Sequence, residues 1–299
     1  INFKRFINKN EIDLIYNCKI NSINESSKTS IAYTSNNDAK FVAKKIIICC
    51  GGIESINLIQ NSVSKGKLKN IKNKTIIGKY FMDHPKFNLG YLKYPKVHII
   101  NKLELTQKNN KIFYHGVSLP KDIQRKKKLL NSYVRFEKTN NRIFRFLEKF
   151  NIPLMKKIMI RNNTYRVRLF CEMIPNVKNS IISKKNNTYV KLKLSKIDID
   201  TIRELSTRIK NFFSLKPKLE LNFNINNIQK KIECASHHMG GLRFDNKNKL
   251  SFVDKNLKIR GLKNTYVCGS AVFPSSGSVN PTMTICALSS RLGEHLTKN

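Results

Sequence analysis

Two residues near the end of the chain, His237 and Asn280, have side chains suited to chemistry on a small molecule. His237 lies in SHHMGG and Asn280 in SVNPTMT. A neutral imidazole is a suitable general base near physiological pH, and an amide both donates and accepts hydrogen bonds. His238 could serve equally well as the base, and most histidines have a structural role. The residue types are therefore compatible with a catalytic pair, but they do not show which histidine would be the base.

The residues after Asn280 predict the start of a helix. Pro281 is well tolerated in a first turn because its missing N–H would be unpaired there. Thr282 and the next residues then present free backbone N–H groups at the positive end of a helix dipole, which suits an anion. A simpler interpretation is that Asn280 only caps this helix.

Other reaction types have less support. The adjacent His237 and His238 lack the i, i+4 spacing that places two imidazoles on one helix face, and no acidic partner is expected near them. No G-x-S-x-G motif occurs, so the sequence does not predict a serine hydrolase. The seven cysteines form no C-x-x-C pair and sit mostly in apolar runs. This pattern predicts reduced, buried thiols in a cytoplasmic protein, with neither zinc nor disulfides.

The chain is strongly basic, with 57 Lys and Arg against 19 Asp and Glu and a formal net charge of +38. Such a charge raises the question of nucleic acid or an anionic membrane as partner. The basic residues are scattered singly among Asn and Ile, without aromatic platforms, so nucleic-acid binding is disfavoured. Residues 143–160 are basic and amphipathic but interrupted by Pro153; a solvated helix pair is favoured there over peripheral membrane contact. The first residue is Ile, which suggests a fragment or a processed chain.

The first part of the chain predicts strands followed by a glycine turn and a helix. Alternation from Ile12 to Ile20 predicts a half-buried strand, and SIAYTS predicts another. A continuous apolar run from Ile46 to Cys50 is followed at once by Gly51 and Gly52 and by an apolar helical stripe. A backbone can approach a cofactor in such an arrangement, although plain turn chemistry also explains the glycine pair.

The middle and last parts of the chain differ in the secondary structure that their residue patterns predict. From about Tyr91 to Gln229, RVRLFCEMIP and NTYVKLKLS alternate as strands do, and DIDTIRELSTRIKNFFSL predicts an amphipathic helix starting near Asp198 or Asp200. These elements predict an α+β region with helices covering one face of a sheet. After Cys234 the sequence predicts a turn at FDNKNK, a strand at NTYVCGS and a final helix, which is expected to be buried because it has few lysines.

Five segments, in this order, resemble the glucose-methanol-choline (GMC) family of flavin oxidoreductases: FVAKKIIICCGGIESINLIQNS, IIGKYFMDHP, EMIPNVKNSIIS, SHHMGGLRF and VCGSAVFPSSGSVNPTMTICALSSRLGEHL. The last two are the most specific. The resemblance implies an α/β (α+β) fold, with an incomplete FAD-binding domain of the two-dinucleotide type and a substrate domain whose sheet is covered by helices. It places the later part of the FAD-binding domain at 1–87, the substrate domain at 88–229 and the return to the FAD-binding domain at 230–299. No G-x-G-x-x-G occurs, so the family's pyrophosphate-cradling segment is absent from this sequence.

The resemblance also implies roles for individual residues. His237 falls on the family's catalytic histidine, and Asn280 falls on the second catalytic position. His84, in MDHP, matches a segment near the flavin and is interpreted as structural. The implied FAD-binding residues are Ile20 at the adenine, Gly51 beneath it, Gly269 and Ser270 along the pyrophosphate and ribityl chain, and Asn280, Pro281 and Thr282 at the isoalloxazine.

The implied activity is oxidation of a CH–OH group by FAD. His237 would take the hydroxyl proton while hydride passes to flavin N5, and Asn280 would hydrogen-bond the alcohol oxygen. The residues of SHHMGG resemble the sugar-oxidising branch of the family more than the choline branch, so a sugar or another polyol is the expected substrate. The sequence does not distinguish an oxidase from a dehydrogenase. The alternative function is a truncated, non-catalytic remnant or a basic module that binds anionic polymers.

Overall fold

The computed structural model describes residues 12–35, 39–94, 106–109, 111–113, 115–138, 163–184, 187–215, 220–223, 233–244 and 251–298. The predicted amphipathic segment 143–160 lies outside these residues, as do positions 245–249 of the predicted turn in FDNKNK. Within the described residues, no helix is both long enough and apolar enough to cross a membrane.

Fourteen strands and four helices form within the described ranges. The strands are β1 Ile20–Glu25, β2 Ser30–Thr34, β3 Lys40–Ala43, β4 Ile46–Ile48, β5 Lys86–Tyr94, β6 Thr106–Lys108, β7 Lys111–Phe113, β8 Val117–Ser118, β9 Ser132–Lys138, β10 Asn163–Cys171, β11 Ser180–Lys184, β12 Asn187–Lys191, β13 Glu220–Phe223 and β14 Thr265–Val267. The helices are α1 Gly51–Ser64, α2 Lys121–Lys127, α3 Lys196–Ser214 and α4 Thr282–Lys298.

The first sheet is antiparallel, in the order β1, β2, β3. The strand predicted at SIAYTS is confirmed as β2. The strand predicted from Ile12 to Ile20 is wrong except at its last residue, because pairing begins only at Ile20. Leu14 and Tyr16 are 48% and 72% exposed. No described strand pairs with residues 12–19, so their alternating apolar side chains find no sheet to join.

A parallel pair of strands lies beneath the predicted glycine turn. β4 pairs in parallel with β14, and the chain passes from β4 through Cys49 and Cys50 directly into α1. Ile56, Leu58 and Ile59 of α1 are buried against the core. The predicted succession of strand, glycine turn and helix is confirmed, and so is the strand in NTYVCGS.

The larger sheet has five strands in the order β13, β5, β10, β9, β8, and α3 packs against it. Helix α3 begins two residues before Asp198 and four before Asp200, the two predicted starts, because Ser195 caps it. The Ser195 hydroxyl accepts the N–H of Asp198, while the Asp198 carboxylate accepts the N–H of Ser195, which forms a capping box. The buried stripe of α3 is Ile202, Leu205, Ile209 and Phe213. This confirms the predicted sheet covered by a helix; the division into three segments at 87 and 229 stays a prediction.

The last helix and the cysteines correct two expectations about burial. In α4 only Leu292 is buried within the described structure, and Met283 is 81% exposed, so the expectation of a buried helix is wrong here. A helix with few lysines is suited to burial because it carries little charge. The described residues, however, pack against only one side of α4. Four of the seven free cysteines, Cys49, Cys50, Cys234 and Cys286, are likewise exposed.

Candidate active site

The loop that carries His237 is fixed to a distant part of the chain by Asp83. The Asp83 side chain is only 2% exposed. Its Oδ1 accepts the backbone N–H groups of His84 at 2.8 Å and of His237 at 3.0 Å, and its Oδ2 accepts that of Ala235 at 3.1 Å. A buried carboxylate that accepts several N–H groups is a strong tether, because its charge strengthens each hydrogen bond.

A second contact joins the same two segments through histidine side chains. Nδ1 of His84 lies 3.0 Å from Nδ1 of His237, and the rings meet edge to face at 83° with centroids 5.1 Å apart. Nε2 of His84 lies 3.4 Å from the carbonyl oxygen of Ser276. The sequence interpretation of His84 as merely structural did not anticipate this contact with the candidate base.

The positions of the ring protons on His84 and His237 follow from the Ser276 carbonyl, which contacts Nε2 of His84. The Ser276 carbonyl can only accept, so we assign the His84 proton to Nε2 and leave His84 Nδ1 as an acceptor. His237 must then donate from its own Nδ1. Nε2 of neutral His237 therefore carries the lone pair, and this nitrogen is the basic one.

The surroundings of both histidines favour their neutral forms. Burial lowers the pKa of His84, and the Ser276 carbonyl opposes this effect by favouring a donor. Burial also lowers the pKa of His237; Asp83 opposes the shift, while His238 and Lys86 add to it. A neutral imidazole at physiological pH is the form that can take up a proton.

The SHHMGG loop is also bonded to the strand end that was predicted to bind the cofactor. The N–H of Gly240 donates to the carbonyl of Ser270 at 3.0 Å, and that of Leu242 donates to Ala271 at 3.0 Å. Ser270 is 7% exposed and begins a short 3-10 turn. The predicted histidine loop and the predicted cofactor-binding stretch are therefore direct neighbours.

Asn280 lies on the wall of a cavity. The cavity has a volume of about 680 Å³. Pro281 is buried, and its carbonyl accepts the N–H of Ile285 at 3.0 Å, so Pro281 holds the N-cap position of α4. Asn280 thus precedes the cap, and its side chain makes no hydrogen bond to a described residue. The helix-cap interpretation has no support, and the amide is available to a ligand.

His237 and Asn280 share no hydrogen bond within the described structure. The contacts that connect them run from His237 to His84 and from His84 to Ser276, on the loop that leads to Asn280. Ser276 is itself fixed, because its hydroxyl accepts the N–H of Met173 at 2.9 Å and donates to the Met173 carbonyl at 3.1 Å.

Open space lies beyond the carboxyl ends of the two parallel strands. Gly51 follows β4 with φ +78°, and Gly269 follows β14 with φ +150°; a methyl group built on either would meet nothing within 4 Å. Helix α1 begins there without a side-chain cap. Ligands of open α/β sheets bind beyond the carboxyl ends of strands, and a free helix N-terminus favours phosphate. These residues fit a dinucleotide cofactor, and partly buried Ile20, at the start of β1, packs on the same core.

One cluster was missed by the sequence analysis. Sγ of Cys234 lies 3.4 Å from Nε2 of His238, and a carboxylate oxygen of Asp83 lies within 4.8 Å of both. The expectation that the histidine pair has no acidic neighbour is therefore wrong. Asp83 is distant in sequence, and no local spacing could have indicated it.

Comparison with protein-family models agrees with the resemblance in part of the chain. Residues 183–289 match the family model described as GMC oxidoreductase. This range includes both His237 and Asn280. The resemblance to the GMC family is thereby confirmed in the region that carries the candidate site.

Two solved structures have similar folds. Pyridoxine 4-oxidase from Mesorbium loti aligns with a TM-score of 0.65 and 12% identity, over 99% of this chain and 60% of its own. An FAD-dependent oxidoreductase from Chaetomium thermophilum, in complex with a small-molecule fragment, aligns with a TM-score of 0.64 and 11% identity, over 99% of this chain and 63% of its own. The chain thus spans less than two thirds of either structure. No curated protein sequence matched the chain.

Proposed function

We propose that this chain is part of an FAD-dependent oxidoreductase that oxidises a CH–OH group. The observation that carries the proposal is the contact between His84 and His237, at 3.0 Å between the Nδ1 atoms. This contact leaves Nε2 of a neutral His237 as a base with a fixed direction. The GMC match over residues 183–289 supports the same reaction class.

The residues that would hold FAD are those at the strand ends and at the start of α4. Gly51 and Gly269 allow close approach of the backbone, and the N-terminus of α1 favours a phosphate. Ser270, Ile20, Pro281 and Thr282 complete the proposed set. When bound, FAD supplies the hydride acceptor of the reaction.

His237 and its partners perform the proton transfer in this proposal. Nε2 of His237 takes the hydroxyl proton of the alcohol, while its Nδ1–H continues to donate to His84. The charge that forms on the imidazole is stabilised by Asp83, which raises the pKa of His237 against the effect of burial.

Asn280 orients the substrate. Asn280 lines the cavity, and its side-chain amide would donate a hydrogen bond to the alcohol oxygen, which stabilises the negative charge that develops there. The other polar side chains on the wall favour a substrate with several hydroxyl groups. They include Ser118, Lys121, Gln124, Asn131 and Tyr133. A sugar or another polyol is therefore the proposed substrate, and the electron acceptor is left open.

The test is made on the full-length protein. After purification it should carry a yellow flavin, and anaerobic mixing with a panel of sugars, polyols and simple alcohols should bleach the flavin absorbance with at least one polyol. A protein that contains no flavin, binds none on reconstitution and is retained on nucleic acid with a steep salt dependence would overturn the proposal. That result would favour the alternative, a basic module that binds anionic polymers.

A further inference from the structure

We propose that Asp83, Cys234 and His238 form a binding site for a zinc-type transition-metal ion beside the candidate base. The three side chains offer a carboxylate oxygen, a thiol sulfur and an imidazole nitrogen, and these atoms all lie within 4.8 Å of one another. Cys234 and His238 have no role in the proton transfer proposed above, whereas Asp83 holds the loop and stabilises the charge on His237.

The ligand types select the class of ion. Cysteine sulfur and histidine nitrogen are preferred by zinc and other late transition metals, whereas magnesium and calcium prefer sets of oxygen atoms. One carboxylate beside a thiolate and an imidazole is an ordinary zinc set, and three protein ligands leave a fourth position for water.

The distance between sulfur and nitrogen has the value that a tetrahedral ion requires. Zinc bonds of about 2.3 Å to sulfur and about 2.0 Å to nitrogen place the two ligand atoms about 3.5 Å apart at a tetrahedral angle. In the structure Sγ of Cys234 and Nε2 of His238 are 3.4 Å apart. Cys234 is exposed, so an ion can enter from solvent.

The backbone around the three ligands already holds them in place. Ser236 has φ +61°, and this left-handed turn allows the chain to fold Cys234 back against His238. The N–H of Ser236 donates to Sγ of Cys234 at 3.2 Å. Asp83 is fixed by its three backbone N–H donors, of which only Ala235 contacts Oδ2, at 3.1 Å. Outer contacts of this kind orient metal ligands and are part of a built site.

The position of the site gives it a consequence for the neighbouring base. His237 lies between Cys234 and His238 in the sequence, and its N–H is bonded to the same Asp83. An ion bound by the flanking residues would clamp the loop that aims His237. The site is therefore a structural clip or a regulatory site for the loop rather than a centre that binds substrate.

The test measures metal binding directly, so it does not depend on the oxidoreductase activity. The full-length protein is freed of metal with a chelator and titrated with Zn²⁺ by calorimetry, and with Co²⁺ while thiolate-to-cobalt absorption is recorded. One equivalent should bind with the thiolate signal. Cys234→Ser and His238→Gln should each weaken binding by about tenfold or more and abolish or shift the cobalt band.

Cys286→Ser is the matched control, because Cys286 is also a free, exposed cysteine but lies on α4. It should bind zinc as the unaltered protein does. The proposal is overturned if no saturable equivalent binds, or if Cys234→Ser binds Zn²⁺ as tightly as the control variant. A loss of flavin reduction without a change in zinc affinity would bear on the proposed function alone.

Discussion

Nδ1 of His84 lies 3.0 Å from Nδ1 of His237, and His84 is almost completely buried, at 1% exposure. The contact joins two loops that are distant in sequence, and Asp83 ties the same two loops through backbone hydrogen bonds. A buried neutral histidine with a carbonyl on its other nitrogen can only accept from its neighbour. The pair therefore fixes both the direction and the tautomer of the candidate base.

Replacing the base should stop the chemistry while leaving binding nearly intact. We expect His237→Ala to slow flavin reduction by roughly 10² to 10⁴-fold, with little change in substrate affinity, because proton removal is lost. Anaerobic stopped-flow measurements at several substrate concentrations separate the two effects. His115→Ala, on an exposed position, is the control. A variant at position 237 that reduces its flavin at the unaltered rate would disprove the assignment.

The partner histidine should act through orientation. We expect His84→Phe to slow reduction less than His237→Ala does, and to change the pH profile of the remaining rate, because Nδ1 of His237 loses its acceptor. His84→Gln, whose amide oxygen can accept a hydrogen bond, should recover part of the loss. Equal rates and unchanged pH profiles in both variants would leave His84 with only a packing role.

The pH dependence follows from the directions of the pKa shifts. His237 acts as a base only when neutral, so the reduction rate should rise with pH through the pKa of His237. Burial lowers this pKa below its ordinary value of 6.5, and therefore the midpoint of the rise should lie below pH 6.5. Asp83→Asn removes an influence that raises the pKa, and should move the acid limb to lower pH. An acid limb centred above pH 6.5 in the unaltered protein would contradict this account.

Asn280 should contribute less than the base. We expect Asn280→Ala to slow reduction by up to about 10²-fold, because one donor to the developing oxyanion is lost. Its effect on the free energy of unfolding should be small, since its side chain makes no hydrogen bond to a described residue. A normal rate with reduced thermal stability would instead give Asn280 a purely structural role.

The glycine after β4 should be needed for the cofactor. A side chain on Gly51 would project into the open space at the strand ends, so Gly51→Ala should lower the FAD content of the purified protein. Gly66→Ala is a matched control, because Gly66 also has a positive φ, +68°, and open space around it, but follows the far end of α1. Both variants carry a backbone strain of about 1 to 2 kcal/mol. Equal flavin content, measured by absorbance, would exclude Gly51 from the site.

Much of the local structure could be predicted from residue patterns. The apolar run before Gly51 and the amphipathic stripe of α3 each point to one secondary structure, because burial of one face requires a fixed period. The residue patterns gave wrong predictions where burial depends on other segments of the fold. Alternation from Ile12 formed no strand before Ile20, and α4, although poor in lysine, is fully buried only at Leu292 among its described residues.

The sequence by itself determined the elements, the GMC resemblance and the candidates His237 and Asn280. It did so because helix and strand periods, glycine turns and family motifs are each contained within a short stretch of sequence. Only the tertiary structure decided which groups surround those candidates. Asp83 and His84 meet the SHHMGG loop across a long separation in sequence, and Cys234 meets His238 through a left-handed turn at Ser236. The contacts of Asp83 and His84 depend on how the segments pack, and no spacing within a single segment records them.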